Sequence, residues 1–169
     1  DANAGTTNDK RVRYGRLRLG SSSGSQVLAL RVPVEAQFWN GTSFITNTLD
    51  SCTPLVAGNV GLGNYTGSLN AGETTATITA SPLQSGRSTI QLSAPGAANA
   101  GGVDVTLNLG SGANADACNA FSPAASAGTL AHLRGLWCSP PGTYSKDPAV
   151  RVRFGSTRSS DQVIHRREQ

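Results

Sequence analysis

Residues 27–40 read VLALRVPVEAQFWN, and this stretch decides the fold class. Its apolar side chains recur every second residue, as in a β-strand, where successive side chains point to opposite faces of a sheet. A helix would spread the same positions around its whole surface. The stretch therefore predicts a long strand with one face in a core. That face carries Leu28, Leu30, Val32, Val34, Ala36 and Phe38.

Shorter alternating segments occupy much of the remaining chain, with glycine-, serine- and asparagine-rich turns between them. Eight to ten strands without a convincing helix predict an all-β domain, an antiparallel two-sheet β-sandwich of immunoglobulin-like or jelly-roll-like type. Residues 130–137 fit either a strand or one helical turn, and residues 54–72 read as a loop. The other predicted strands are residues 10–19, 42–49, 73–80, 88–94, 103–109, 150–154 and 162–167.

Three local features refine this arrangement. The apolar parity of the first strand changes across Gly15, so we expect a bulge or bend there. Pro33 has no N–H to donate to a sheet, so we expect the long strand to lie at a sheet edge or to bend at this point. A serine-rich turn at residues 20–24 links the two strands as a predicted hairpin.

Length and composition suit one exported domain. The chain has 169 residues, and only 14% of them are charged, which argues against a solvated helical bundle. No segment approaches the ~20 apolar residues that cross a bilayer, so we expect no membrane span. We expect residues 1–9 to be a polar linker from an upstream domain of a larger precursor, and residues 10–169 to form a single β-sandwich domain.

The net charge is +4, and the basic residues cluster near both ends of the chain, where they alternate with apolar residues. We expect Arg16 and Arg18 to face outward on one strand, and Arg151 and Arg153 on another. If those strands pair, they form one basic stripe, which could meet an acidic polymer, a glycan or a phospholipid surface. A mildly basic surface explains the same balance more simply, so we expect no nucleic-acid partner.

The three cysteines indicate an oxidising, exported location. Cys118 and Cys138 lie about 20 residues apart, around a segment rich in alanine, serine and glycine. A bridge there would stabilise the fold by about 3 kcal/mol. We expect this pair to be bridged, although pairings of Cys52 with either partner stay open. No CxxC pair is present and both histidines stand alone, so we expect no zinc site.

The sequence offers no catalytic constellation. His132 and His165 lie apart, and no Gly-x-Ser-x-Gly motif is present, so a Ser-His-Asp hydrolase lacks support. The carboxylates are scattered, and a calcium site could be built only from distant loops, so we expect no metal and no cofactor. The glycine-rich residues 58–63 are not followed by a helix pattern, which excludes a dinucleotide site.

Trp39 stands out among the few aromatic residues. It lies opposite the apolar row, beside the turn dipeptide Asn40-Gly41. A partly exposed indole there could stack on a sugar. It could equally cover a second sheet or a neighbouring domain, which is the commoner role for such a residue. The candidate ligand-binding residues are Trp39, Asn40, Tyr65, Arg16 and Arg18.

A series of ordered motifs covers nearly all of residues 11–168. They are Arg13–Leu19, Val32–Gly41, Phe44–Thr53, Tyr65–Leu69, Gly72–Thr74, Ala94–Gly96, Val103–Leu107, Asp147–Ala149 and Arg153–Gly155. In sequence and order they resemble the C-terminal region of MshQ-type proteins, which are associated with the mannose-sensitive haemagglutinin type IV pilus of bacteria.

This resemblance implies a cell-surface location in a large multidomain parent, often with a lectin-like domain upstream, and it supplies no catalytic residues. We therefore expect a non-catalytic extracellular module that acts in surface attachment or pilus assembly. Its partners would be other pilus or cell-surface proteins, or a glycan. Two alternatives stay open: an extracellular hydrolase acting on polysaccharide, and a polyanion- or DNA-binding module whose binding would depend strongly on salt.

Overall fold

The structure is a computed structural model, and it describes residues 14–112, 118, 126–127, 130–138 and 144–155. This part of the chain is all-β, as predicted, with eleven strands, two short 3₁₀ turns and no α-helix. The predicted linker and the predicted strand at residues 162–167 lie outside it. The strands are β1 Gly15–Leu19, β2 Ser23–Gly24, β3 Leu30–Trp39, β4 Phe44–Thr46, β5 Val60–Gly67, β6 Ala76–Ile78, β7 Arg87–Leu92, β8 Gly101–Leu107, β9 Ser111–Gly112, β10 Ser126–Ala127 and β11 Ala149–Phe154.

The strands form two main sheets. The first runs β1-β3-β7-β6, with β4 also beside β3, and all of its pairs are antiparallel. The second runs β2-β11-β8-β5 and is antiparallel except for the parallel pair of β2 and β11. The short strands β9 and β10 pair with each other. β1 and β3 are antiparallel neighbours, as the predicted hairpin requires, but the chain between them contributes β2 to the second sheet.

The hydrophobic core lies between the two sheets and draws on both. Val32, Val34 and Ile90 of the first sheet are fully buried, and so are Val105 and Val152 of the second. Burial of one such side chain contributes about 1.5–3 kcal/mol to the free energy of unfolding. The alternation of β3 therefore places one row of side chains in this core and leaves the other row on the outer face of the first sheet.

Pro33 is accommodated inside a sheet, so the predicted edge position of β3 is wrong: β3 lies between β1 and β7. Ala36 donates its N–H toward the β7 side, to the Gly86 carbonyl oxygen at 2.8 Å. Pro33 faces the opposite side, where its carbonyl oxygen accepts the Gly20 N–H at 2.9 Å, just past the end of β1. Its missing N–H falls where β1 has already ended, so the ladder to β7 is intact.

The first strand has no bend at Gly15. Its pairing with β3 is regular from Gly15 to Leu19, and the Trp39 N–H continues it by donating to the Tyr14 carbonyl oxygen at 2.9 Å. Tyr14 therefore shares the outer face of the sheet with Arg16. The expectation of a bulge is wrong because Tyr14 is an exposed surface residue and not a core residue.

The predicted loop at residues 54–72 contains a strand. β5 pairs with β8, with a shift of register between Gly63 and Thr66. The glycines of β5 weaken its local strand signal, but glycine also permits close approach of two backbones. A Cβ atom on Gly101 of β8 would overlap the Thr66 carbonyl oxygen. Tertiary pairing therefore decides the structure of this segment.

The long strand starts later than predicted. It begins at Leu30, and Leu28 is 65% exposed because a turn, closed by a bond from its N–H to the Ser25 carbonyl oxygen, precedes the strand. Of the two alternatives left open for residues 130–137, the structure has the helical one, a 3₁₀ turn at Ala131–Leu133. Within the described residues, no helix has the length and apolar character needed to span a membrane.

Candidate ligand-binding site

Aromatic side chains gather on the outer face of the first sheet, where β3 turns into β4. Trp39 and Phe44 are opposite each other in the β3–β4 register, and their ring centroids lie 5.3 Å apart. The Tyr14 ring lies 5.9 Å from Phe44 and 4.8 Å from Tyr144. All three pairs meet edge to face, the arrangement that the ring quadrupoles favour.

These four side chains line a depression of about 260 Å³, which we call the aromatic depression. It is open to solvent, because Tyr14, Trp39 and Tyr144 are 42%, 44% and 54% exposed. Large exposed rings that lie together form an apolar patch of the kind found at interaction surfaces. The rings also fix one another, so little side-chain freedom would be lost when a ligand binds.

Arg16 adjoins the aromatic depression and is held on several sides. The Cζ atom of its guanidinium lies 3.7 Å from the Phe44 ring centroid and 4.5 Å from that of Trp137. Its Nε donates to Gln37 Oε1 at 2.9 Å, and Gln37 Nε2 donates to Glu35 at 3.2 Å. Two rings and a cross-strand hydrogen bond therefore set the position of this cation.

The surroundings of Arg16 and Tyr14 also shift the pKa values of both side chains. Burial, followed by repulsion from Arg18, lowers the pKa of Arg16. Burial, followed by the neighbouring Tyr144, raises the pKa of Tyr14, against a smaller lowering by Arg16. A guanidinium stays protonated in proteins, so the site combines a partly desolvated positive charge with a neutral phenol at neutral pH.

A segment from the far end of the chain completes the site. The backbone of Gly135 exchanges two hydrogen bonds with Lys146, at 2.9 and 3.2 Å. Arg134 Nε bonds to Asp147 Oδ1 at 2.8 Å, and the fully buried Asp147 also accepts the Leu109 N–H at 3.2 Å. This pairing fixes the segment that carries Trp137 and Tyr144. We call residues 130–138 and 144–148 the strap.

The structure brings together some of the residues that the sequence singled out. Trp39 and Arg16 belong to the site. Asn40 adjoins it, but its Oδ1 accepts the N–H groups of Thr42 and Ser43 at 2.9 and 2.8 Å, so it holds the turn. The predicted tight turn is therefore present.

Two other candidates lie elsewhere. Arg18 is on the same face as Arg16 but is 3.9 Å from Glu35, in a half-exposed ion pair. Tyr65 lies on β5 of the second sheet, partly buried against the core, and this burial raises its pKa. Tyr65 is therefore not part of the aromatic depression.

The predicted basic stripe is not formed, because β1 and β11 lie in different sheets. Arg16 and Arg18 project from the first sheet, whereas Arg151 projects from the second. There Arg151 Nε donates to Asp104 Oδ1 at 2.7 Å. Among the described residues, the basic side chains of β1 and β11 are therefore divided between two outer faces, and Arg18 and Arg151 are paired with carboxylates.

Four residues of the site were not among the sequence candidates: Tyr14, Phe44, Trp137 and Tyr144. A signal existed for two of them. The tight turn at Asn40-Gly41 places Phe44 opposite Trp39, and Tyr14 shares the parity of Arg16. Trp137 and Tyr144 come from the strap, which has no strand periodicity, so only tertiary structure places them.

The expected disulfide between Cys118 and Cys138 is present. Cys118 and Cys138 are joined by a disulfide, with Cα atoms 5.3 Å apart. Cys52 is exposed and free, and its thiol lies 3.7 Å from Asp50 Oδ1. Within the described residues, no group of three or more His, Cys, Asp or Glu side chains is arranged to hold a metal ion.

Comparison with models of known protein families identifies the family of this chain. A family model for the fourth domain of DUF6701 matches residues 13–169. The chain belongs to the DUF6701 family. The match to this DUF6701 fourth domain includes every strand that the structure describes and the four residues that line the aromatic depression. A search of curated proteins found no match, and a search of solved structures found none.

Proposed function

We propose that this DUF6701 fourth domain is a non-catalytic, extracellular binding module of a type IV pilus-associated protein. It acts in surface attachment or pilus assembly by holding a sugar ring of a partner glycan in the aromatic depression. The observation that carries the proposal is the convergence of Tyr14, Trp39, Phe44 and Tyr144 on one open depression.

Sugar binding suits this geometry for a physical reason. A pyranose presents an apolar face of C–H groups, and these pack well against an exposed indole or phenol ring. Tyr and Trp provide a large apolar surface together with a polar N–H or O–H at the ring edge. The depression thus offers both the packing surface and the peripheral donors that a sugar ring requires.

The lining of the site supports binding without turnover. Glycoside hydrolysis ordinarily needs two carboxyl groups that flank the scissile bond. The four residues that line the depression carry neither a carboxylate nor an imidazole. The nearby Glu35 is bonded to Gln37 and lies 3.6 Å from Arg87 Nε, so its charge is already matched.

Two findings support an exported location and a multidomain parent. The disulfide fits passage through an oxidising compartment. The description of the family as a fourth domain fits a multidomain parent. The ordered motifs that resemble those of MshQ-type proteins support the proposed link between that parent and a type IV pilus.

A binding panel tests the proposal. The disulfide-bonded domain is titrated with soluble polygalacturonate, alginate, dextran and mannan, as wild type, Trp39→Ala and Ile45→Ala. Ile45 is a matched control, because it is 41% exposed on the same hairpin but does not line the depression. We expect Trp39→Ala to weaken binding about tenfold or more, and Ile45→Ala to leave it unchanged.

The proposal fails if wild type binds none of these polysaccharides, or if Trp39→Ala binds as well as wild type. Loss of surface attachment in bacteria whose parent protein carries Trp39→Ala would support the cellular role. Unchanged attachment and unchanged pilus assembly in those cells would contradict it.

A further inference from the structure

We infer that the sugar bound in the aromatic depression carries a carboxylate, and that Arg16 is the residue that recognises it. The ligand class is thus an acidic glycan, built from uronic or sialic acid. The inference rests on the proposed function and adds the chemical class of the ligand and its specificity-determining residue.

The hydrogen bonds of Arg16 leave most of its donors available. A guanidinium has five N–H donors, and the Arg16 side chain uses the one on Nε for Gln37. In the part of the chain that the structure describes, no salt bridge includes Arg16 and no hydrogen bond from its Nη atoms is found. The Phe44 and Trp137 rings lie against the guanidinium, and its other four N–H donors have no hydrogen-bond partner among the described residues.

The other arginines with ring or carboxylate neighbours differ from Arg16. Arg18 and Arg87 share Glu35, Arg134 is paired with Asp147, and Arg151 with Asp104. Arg16 thus combines a position fixed by two rings with the absence of a carboxylate partner among the described residues. That combination is what a preformed carboxylate site requires, since the planar fork of arginine matches a carboxylate with two parallel hydrogen bonds.

The position of Arg16 relates it to a ligand in the depression. Phe44 is both a wall of the depression and the ring on which Arg16 stacks. Tyr14 and Tyr144, two further walls, are close enough to influence the pKa of Arg16 electrostatically. A pyranose ring on this wall therefore places an exocyclic substituent near the guanidinium. A partly desolvated charge acts more strongly on a carboxylate than a fully hydrated one does.

Matched pairs of ligands test the inference. Wild type, Arg16→Gln and Arg18→Gln are titrated calorimetrically with trigalacturonate and its neutral counterpart galactotriose, and with sialyllactose and lactose. We expect wild type to prefer the acidic member of at least one pair about tenfold or more. Arg16→Gln should bring the ratio of acidic to neutral affinity close to one, and Arg18→Gln should keep the preference because Arg18 is already paired with Glu35.

The outcomes separate this inference from the proposed function. Equal affinity of wild type for acidic and neutral sugars overturns the inference and leaves sugar binding intact. An acidic preference that survives in Arg16→Gln, or that Arg18→Gln removes equally, also overturns it, since general surface charge would then suffice. Failure of wild type to bind any of the four sugars contradicts both. If Arg16→Gln does not fold, Arg16→Lys serves, since it keeps the charge without the planar fork and should lose most of the preference.

Discussion

Gly101 permits β5 and β8 to approach closely in the second sheet, because it carries no Cβ atom. A Cβ atom at this position would overlap the Thr66 carbonyl oxygen and lie 2.9 Å from Leu69 Cβ. We expect Gly101→Ala to lower the free energy of unfolding by about 2 kcal/mol or more, because β5 and β8 would have to separate.

Gly58→Ala is the matched control for this prediction. Nothing lies within 4 Å of a Cβ atom there, so we expect a change within about 0.5 kcal/mol. Urea denaturation monitored by circular dichroism measures both variants. Equal stability of the two would show that β5 and β8 do not approach as closely as described.

At the scale of elements, one buried ion pair joins the two segments of the strap, and its Asp147 carboxylate also accepts the Leu109 N–H of the sandwich. Asp147 is fully buried and Arg134 is 15% exposed at the side chain. We expect Asp147→Asn to destabilise the domain by about 3–5 kcal/mol, because it removes the carboxylate charge that faces the largely buried Arg134 guanidinium. Near-ultraviolet circular dichroism should change as well, since Trp137 loses its fixed surroundings.

Asp104→Asn is the control for the ion pair, because Arg151 is well exposed and exposed pairs contribute below about 1 kcal/mol. Thermal unfolding of both variants gives the comparison. A loss for Asp147→Asn no larger than that for Asp104→Asn would contradict the role assigned to the strap.

The cross-strand pair on β8 and β11 predicts a pH dependence. Burial alone would raise the pKa of Asp104, but hydrogen bonds from Arg151 and Asn64 and the charge of Arg151 outweigh it, so the pKa lies below its usual value. The carboxylate therefore contributes stability above its unfolded-state pKa and loses it as pH falls through the folded-state pKa. We expect Asp104→Asn to reduce the fall in the free energy of unfolding at acid pH by less than about 1 kcal/mol. Urea denaturation at a series of pH values measures this fall, and an equal fall in wild type and Asp104→Asn would contradict the prediction.

Sequence patterns predict elements well where one face of a strand meets water. Strict alternation identified β3 and β11, because a half-buried strand must alternate. It also identified β8, although Thr106 on its outward row is buried. β5 escaped detection since its glycines carry no side chains that could show a period. Pro33 suggested an edge strand because proline cannot donate an N–H to a neighbouring strand. At this position β1 has already ended, so β3 can lie inside the sheet despite its proline.

Strand alternation also predicts part of the aromatic depression from the sequence. The parity of β3 places Trp39 on the outer face, and a tight turn then places Phe44 beside it. Which strands become neighbours depends on contacts between distant parts of the chain. The sequence therefore could not tell that β1 and β11 lie in different sheets, and the basic stripe is not formed. The approach of Trp137 and Tyr144 depends on the Arg134–Asp147 pair, for which the sequence carries no periodic signal.

At the scale of the whole molecule, the disulfide closes a long loop near the strap. We expect Cys138→Ser to lower the free energy of unfolding by about 3 kcal/mol, because the unfolded chain regains the entropy of the open loop. Cys52→Ser is the control and should leave stability unchanged, since Cys52 is free and exposed. Chemical denaturation under oxidising conditions makes the comparison. Equal stability of Cys138→Ser and wild type would contradict it.

Under the proposed function, the fold holds a small preformed aromatic surface on the outer face of the first sheet. The two sheets fix β1, β3 and β4 through the core, and the strap adds its aromatic side chains from the far end of the chain. Because the surface is formed before any ligand arrives, binding costs little ordering of the protein.

The two tryptophans of the chain, Trp39 and Trp137, provide the most direct test. Nuclear magnetic resonance of the ¹⁵N-labelled domain resolves one indole N–H signal from each, and both lie at the site. During titration with trigalacturonate, we expect both signals to shift together and saturate, with the sugar recovered intact. Indole signals that stay fixed while amides elsewhere move, or a sugar that is cleaved, would contradict the account.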